Sequence, residues 1–204
     1  MEQTKQYEYV DLGLPSGLKW AKCNVGAEKE TDYGDYFIWG ATTPSTAKEC
    51  NWANALFNNG SISCDEEYFT THKSEWLDDK NNLKFEYDAA YKATNGMAHI
   101  PTAKQFKELL DNTNNEWIAD YNGTGVNGRK FTSKTDTSKY IFIPAAGICG
   151  DGSVYGIGGG GNVWSSSLYT SVPIRAWDLG FDSGFCGMGN CICFSGRSIR
   201  PVTD

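Results

Sequence analysis

The chain has 204 residues, a formal net charge of −7, and seven Trp, eleven Tyr and ten Phe. This length suits one large domain or two small ones, and no Pro/Ser-rich or charged linker divides the sequence, so we expect a single domain over residues 1–204. Lys and Arg are not clustered, which argues against nucleic acid as a partner, because neutralising phosphates requires such a cluster. No stretch is apolar for long enough to span a membrane, so membrane insertion is not expected.

The first residues and the cysteines of the chain are relevant to the cellular compartment in which the protein is expected. Residues 1–6 lack the apolar run of a signal peptide. The seven cysteines are an odd number and mostly widely spaced, unlike the dense, even set of a small disulfide-stapled domain. They are Cys23, Cys50, Cys64, Cys149, Cys186, Cys191 and Cys193. We expect reduced cysteines in the main, with one or two disulfides left open.

The first part of the chain predicts a hairpin and a buried strand. Residues 9–14 and 18–25 flank Pro-Ser-Gly, a turn signal, and are expected to pair. Residues 36–39 form a short apolar run between two glycines, which is typical of a buried strand. Residues 41–95 are irregular and polar with scattered aromatic side chains, so we expect this segment to order itself by packing those rings onto the domain.

Two helices are predicted near the middle of the chain. Thr102 and Gln105 have the spacing of a capping box, and Phe106, Leu109 and Leu110 then give one apolar stripe. A shorter helix is expected over residues 88–92. The clearest helix therefore begins after Thr102.

The second half predicts strands, because it is rich in β-branched and aromatic residues separated by turns. The expected strands are 128–133, 140–147, 163–167, 176–181 and 198–202. The run 156–161 is nearly all glycine and is interpreted as a turn, since the Lys, Ser/Thr and helix of a phosphate-binding loop do not follow it. Together these elements predict an α+β fold of short antiparallel strands, two helices and long loops.

Residues 185–194 differ from the rest of the second half. Their apolar residues follow neither a helical nor an alternating period. A packed core would impose such a period, and a disordered tail would be more polar. The pattern indicates side chains that face something outside the molecule, such as a ligand.

Metal and catalytic chemistry are weakly supported by the sequence. Cys186, Cys191 and Cys193 could bind zinc with a fourth ligand, but their spacing is not a standard zinc motif. The acidic runs 65–67 and 78–79 could hold calcium, but no EF-hand loop is present and solvated carboxylates are the simpler interpretation. No nucleophile elbow, H-E-x-x-H or Ser/His/Asp grouping is visible. We predict no cofactor and no enzymatic activity.

Several motifs, in order along nearly the whole chain, resemble the landmarks of the Fibrobacter major paralogous domain family. They lie at residues 10–21 (VDLGLPSGLKWA), 24–27 (NVGA), 33–40 (YGDYFIWG), 100–102 (IPT), 142–147 (FIPAAG), 164–167 (WSSS) and 198–202 (SIRPV). The resemblance implies a C-type lectin-like fold, which joins its termini in one sheet, carries two helices and presents long loops. The sugar-and-calcium motifs of animal lectins are absent, and no cysteine arrangement of formylglycine-generating enzymes can be placed.

Similar proteins serve as the variable proteins of diversity-generating retroelements, which rewrite adenines in a C-terminal stretch. Randomising the adenines of an Asn codon yields Gly, Cys, Phe, Ile, Asp or Val among others, but never Lys, Glu or Gln. Residues 162–195 contain no Lys, Glu or Gln. Trp164, Trp177 and Met188 cannot arise from Asn codons in this way and are assigned to the frame or to other template codons. The resemblance thus implies a diversified segment over about 159–195.

These observations predict a non-enzymatic receptor-recognition protein whose hypervariable C-terminal surface contacts a protein or glycan ligand on a cell surface. Its expected place is extracellular, on a phage virion or a bacterial cell surface. The alternative is a bacterial adhesin or glycan-binding domain without diversification. The predicted ligand-binding residues are Val163, Tyr169, Ile174, Arg175, Trp177, Asp178, Gly180, Phe185, Gly187, Gly189, Cys191, Ile192 and Phe194.

Within that set, bulky residues are expected to anchor a ligand and glycines to leave space for it. Phe185 and Phe194 are the aromatic anchors that we expect to be dispensable for folding. Trp164 is predicted to lie in the core. Trp177 shares one face of its predicted strand with Leu179 and Phe181, so core packing and exposure are left as equal alternatives.

Overall fold

A computed structural model describes residues 6–61 and 65–204 of the chain. These residues form the α-helices α1 (Glu66–Trp76), α2 (Ala89–Ala93) and α3 (Ala103–Asn112). Their strands are β1 (Tyr9–Asp11), β2 (Lys19–Ala21), β3 (Thr113–Ile118), β4 (Gly128–Ser133), β5 (Tyr140–Pro144), β6 (Ile148–Gly150), β7 (Ser153–Tyr155), β8 (Gly160–Leu168), β9 (Arg175–Asp182), β10 (Cys186–Ile192) and β11 (Val202–Thr203). The predicted α+β composition with short antiparallel strands is confirmed. Cys64 and the first five residues lie outside the described part.

The strands pair into small antiparallel sheets, with strand orders β1-β2-β11, β3-β4-β5, β10-β9-β8 and β6-β7. β1 and β2 form the predicted opening hairpin, with Val10 opposite Trp20. β11 adds to the other edge of β2, with Val202 also opposite Trp20. The two ends of the described chain therefore meet in one sheet. Among the helices of the described residues, none has the length and apolar character needed to cross a membrane.

Helix α3 begins where the sequence predicts it. The Thr102 hydroxyl accepts a hydrogen bond from the Gln105 N–H, and the Gln105 side chain accepts one from the Thr102 N–H. This reciprocal cap satisfies two N–H groups that a helix start leaves unpaired. Phe106 and Leu109 are fully buried in an apolar cluster that also contains Trp20. The apolar stripe thus fixes which face of α3 meets the sheets. The short helix predicted over 88–92 is also confirmed, as α2.

Helix α1 lies in the segment for which no helix was predicted, so the predicted number of two helices is too low. The Asp65 side chain caps the helix by accepting from the Tyr68 N–H, and two glutamates occupy the first turn, where negative charge favours a helix start. Only Phe69 and Trp76 are buried along α1. This apolar stripe is too sparse to give a visible period. The acidic run considered for calcium therefore contributes a cap and a first turn.

Arg200 connects the two ends of the chain to the centre of the fold. Its guanidinium is fully buried and donates to the Asn24 side chain and the Ala21 carbonyl, each at 2.9 Å. It also donates to the carbonyls of Lys22 and of Phe142 in β5. Burial lowers the pKa of Arg200 to about 10, which leaves it charged at neutral pH. One cation thus satisfies acceptors from two separate parts of the sequence, residues 21–24 and Phe142.

We expect Arg200→Met to lower the free energy of unfolding by at least about 3 kcal/mol, because it leaves buried carbonyl groups without donors. Arg200→Lys should also destabilise the chain, since one ammonium cannot reproduce the planar array of donors. Urea unfolding followed by tryptophan fluorescence measures both. Lys107→Met is the matched control, because the Lys107 side chain is 69% exposed and its change should have little effect. A loss below about 1 kcal/mol for Arg200→Met would contradict this role.

Candidate functional site

The segment expected to be diversified folds mainly into the sheet β8-β9-β10. β9 is the central strand, with Gly160 of β8 opposite Asp182 and Met188 of β10 opposite Leu179. The sequence predicts β8 and β9 as strands but not β10. The glycines of β10 interrupt any alternating pattern, and its strand conformation is defined by pairing with β9.

Alternate residues of these strands point to opposite faces of the sheet. On the first face, which we call the helix face, Val163, Leu179 and Phe181 join the buried cluster that contains Phe106 and Leu109 of α3. The second face, which we call the glycine face, carries Asn162, Trp164, Asp178, Gly180, Gly187 and Gly189.

The register divides the predicted ligand-binding residues between the two faces. Val163, Arg175, Trp177 and Ile192 belong to the helix face, whereas Asp178, Gly180, Gly187, Gly189 and Cys191 belong to the glycine face. Tyr169 and Ile174 lie in the connection between β8 and β9, and Phe194 follows β10. The sequence prediction combines residues of both faces because it treats the whole segment 159–195 as one surface.

Three predicted contact residues are buried, and we exclude their side chains from the candidate surface. Val163 is 1% exposed and lies in the cluster beneath α3. Asp178 is 2% exposed. Gly180 is also buried, and a Cβ added there would lie 3.1 Å from the Asn162 side-chain nitrogen. A ligand could reach these groups only if their neighbours moved.

Other members of the predicted set are partly buried because they pack on neighbouring rings or on the core. Trp177 lies edge-on to Tyr169, with ring centroids 4.9 Å apart, and Phe194 lies edge-on to Trp52 at 5.9 Å. Ile174 and Cys191 pack against the cluster that contains Trp164, which is itself fully buried, as predicted. Trp177 is therefore partly buried, which is intermediate between the core packing and the exposure that the sequence leaves open.

Phe185 is the most exposed large side chain of the predicted set, at 55%. It follows the turn between β9 and β10, where the Asp182 carboxylate accepts from the N–H groups of Gly184 and Phe185 at 2.7 and 2.8 Å. The ring lies over Gly187, because a Cβ added to Gly187 would be 2.9 Å from it. The turn thus holds an exposed aromatic ring at the end of the glycine face.

Every residue of β10 from Cys186 to Ile192 is partly exposed, and within the described residues β10 pairs only with β9. The Asp182 N–H donates to the Phe185 carbonyl, and the Cys193 N–H donates to the Ile174 carbonyl. In an antiparallel pair, alternate residues of a strand direct their backbone groups towards its partner. The backbone groups of Cys186, Met188 and Asn190 therefore lie on the outer edge of the sheet.

A buried ion pair supports the centre of the glycine face. The Asp178 carboxylate lies 3.1 Å from Arg197 Nε and accepts a hydrogen bond from the Asn162 side chain at 2.9 Å. The Arg197 guanidinium lies over the Trp164 ring, 4.9 Å from its centroid. Burial raises the pKa of Asp178, while the charge of Arg197 and the hydrogen bond from Asn162 oppose that rise. The carboxylate is thus a supporting group held from several sides.

The described part of the chain does not support the zinc and calcium sites that were considered from the sequence. The register places Cys186 on the helix face and Cys191 on the glycine face. The Asp78 carboxylate accepts from the N–H groups of Lys80 and Asn82 and so stabilises a turn. Within residues 6–61 and 65–204, no group of three or more His, Cys, Asp or Glu side chains could hold a metal ion.

A cleft of 1290 Å³ lies apart from the glycine face, beside the start of α3 and residues 82–88. Its titratable groups include Asp88 and His99. The Asp88 carboxylate accepts from the N–H groups of Tyr91 and Ile100, and the His99 ring contacts the Ile100 carbonyl at 3.0 Å. Both side chains are therefore engaged by the backbone, and the cleft was not singled out by the sequence.

No protein-family model, no curated protein and no solved structure matches this chain. The assignment of the site therefore depends on the residues of the glycine face and on their geometry.

Two neighbouring glycines of β10 provide a matched test of this geometry. In Gly189→Ala the new Cβ would lie 2.8 Å from the Asp178 carboxylate, so the buried ion pair must shift. We expect a loss of about 1–3 kcal/mol in the free energy of unfolding. In Gly187→Ala the Cβ meets only the exposed Phe185 ring, which can rotate away, and the change should stay within about 0.5 kcal/mol. Equal losses in urea unfolding would contradict the arrangement.

Proposed function

We propose that the exposed part of the glycine face, together with the outer edge of β10, binds a protein or glycan ligand on a cell surface without catalysing a reaction. The observation that carries the proposal is the exposed Phe185 ring, which projects from a hydrogen-bonded turn and lies over Gly187, beside a sheet edge that is unpaired within the described residues. Aromatic side chains of this kind are the usual anchors of an interface. The hydrogen-bonded turn fixes the backbone that carries the ring, which lowers the entropic cost of binding.

The fold that we propose for this surface is C-type lectin-like. The sheet β1-β2-β11, in which both ends of the chain meet, supports the proposal. The helices α1 and α3 and the largely irregular residues 22–61 support it as well. In such an arrangement the terminal sheet and the helices form the frame, and β8-β9-β10 present the variable positions.

We propose further that a retroelement diversifies this segment. Among its exposed positions, Asp182, Gly184 and Phe185 carry residues that altered Asn codons can encode. Trp164, which such codons cannot yield, is fully buried, and Met188 packs partly against the cluster beneath α3. The codons that the retroelement changes would thus encode side chains that point towards solvent. A protein with this role would act outside the cell, on a phage virion or a bacterial surface.

Sequencing the gene in several isolates tests the diversification. We expect substitutions to concentrate in the codons for residues 159–195, above all 182–187, and to spare those for Trp164, Arg197 and Arg200. A near-copy of the 3′ end of the gene should lie in the flanking DNA. Substitutions spread evenly over the gene, without such a copy, would refute diversification and favour the adhesin or glycan-binding alternative.

Phe185 and Phe194 should respond differently to truncation. Because Phe185 is mostly exposed, Phe185→Ala should change the free energy of unfolding by less than about 0.5 kcal/mol. Phe194→Ala should cost about 1–2 kcal/mol, since it removes the edge-on contact with Trp52. Urea unfolding measures both, and Phe194→Ala serves as the matched control.

The same two variants test the binding surface. Once a glycan array or a panel of bacterial surface proteins has yielded a ligand for the unchanged chain, Phe185→Ala should weaken its binding by about tenfold or more. A loss of stability in Phe185→Ala as large as that in Phe194→Ala would show that Phe185 is a packing residue, and would remove it from the site.

A further inference from the structure

Cys50 and Cys149 form a buried pair of thiols outside the candidate binding surface. Their sulfur atoms are 3.3 Å apart, although the residues are 99 positions apart in the sequence. They are 2% and 1% exposed and belong to a small apolar cluster with Ile38. Cys149 lies at the centre of β6, whereas Cys50 lies in the irregular segment that precedes α1.

The backbone around the pair holds the two sulfurs together. Cys149 exchanges two hydrogen bonds with Gly196, with N···O distances of 2.9 and 2.7 Å. A Cβ added to Gly196 would lie 2.5 Å from the Cys50 sulfur and 2.8 Å from the Cys149 Cβ. Glycine at this position therefore leaves the space that the pair occupies. A disulfide has an S–S length of about 2.05 Å, so the sulfurs need to approach by about 1.3 Å, which side-chain rotation can supply.

We propose that Cys50 and Cys149 are a disulfide site, oxidised wherever the folding chain meets a disulfide oxidant such as oxidised glutathione. One cysteine, as its thiolate, attacks a sulfur of the oxidant and releases the first thiol of the oxidant, which leaves a mixed disulfide on the chain. The second cysteine attacks the sulfur on the protein side and releases the second thiol. Two electrons and two protons pass from the cysteines to the oxidant. This inference is independent of the proposed function.

The bond would form during folding and persist afterwards. In the folded chain, burial together with the neighbouring Cys149 raises the pKa of the Cys50 thiol to about 12. Little thiolate is then available, and thiolate is the species that exchanges. The same burial shields a completed bond from reductants.

A bond at this site would tie the segment before α1 to β6 and to Gly196, which follows β10. It would close a loop of about 100 residues, so the unfolded chain would lose much of its conformational freedom. For a chain of this length we expect the oxidised form to melt on the order of 10 °C above the reduced form.

Peptide mapping of the full chain tests the proposal. Trypsin leaves Cys149 as the single cysteine of peptide 140–175, but leaves Cys50 and Cys64 together in peptide 49–73. The chain is therefore prepared as Cys64→Ser, refolded from urea in oxidised and reduced glutathione, treated with iodoacetamide, and digested without reduction. We expect peptides 49–73 and 140–175 to be joined, with a mass two hydrogens below their sum, and the difference in Tm to follow the bond.

Two variants complete the test. Cys149→Ser should abolish both the joined peptide and the difference in Tm between oxidising and reducing buffer, whereas Cys191→Ser, which alters a partly exposed cysteine of β10, should keep both. The Cys64→Ser chain gives a result by mass alone, whether or not Cys149→Ser folds. Recovery of Cys50 and Cys149 as separate alkylated peptides after refolding in oxidised glutathione would overturn the proposal.

Discussion

A fully buried guanidinium, that of Arg200, is the interaction on which the rest of the structure depends. It satisfies a side-chain oxygen and three backbone carbonyls that would otherwise be buried without donors. These acceptors belong to the end of the opening hairpin and to β5, so one side chain joins the terminal sheet to the centre of the chain. Leaving such groups unpaired costs more than any single surface contact contributes. The terminal sheet is therefore joined to β5 by the hydrogen bonds of Arg200, and residues 182–192 take no part in these bonds.

The buried pair of Asp178 and Arg197 forms the boundary between this frame and the candidate surface. The Arg197 guanidinium lies over the Trp164 ring, and the Asp178 carboxylate also accepts a hydrogen bond from the Asn162 side chain. We expect that side chains which project beyond this layer, such as the exposed Phe185, can change with little effect on the core. Positions that touch the layer, such as Gly189, have less freedom. Tolerance to substitution should thus follow contact with the ion pair more closely than position along the sequence.

The sequence predicts those parts of the fold in which local chemistry and tertiary structure agree. The capping box at Thr102 and the turn after Leu14 each specify their element within a few residues, and both are confirmed. Helix α1 is missed because its stripe has only two buried residues, so its position depends on packing between distant aromatic rings. Strand β10 is missed because its conformation comes from pairing with β9, and its glycines carry no pattern of their own.

The candidate site is also predictable only in part, because some of its features depend on local sequence and others on how distant strands pair. Exposure of Phe185 could be anticipated from the absence of a period in the sequence around it, but the assignment of Val163 and Asp178 to the core requires the register of β8 on β9. Stability measured for every single substitution over residues 160–200, by protease survival of the displayed chain, tests the central claim most directly. Phe185 and Gly187 should accept most residues, whereas Val163, Asp178, Arg197 and Arg200 should accept few. Equal intolerance at both sets of positions would contradict a rigid frame that carries a replaceable surface.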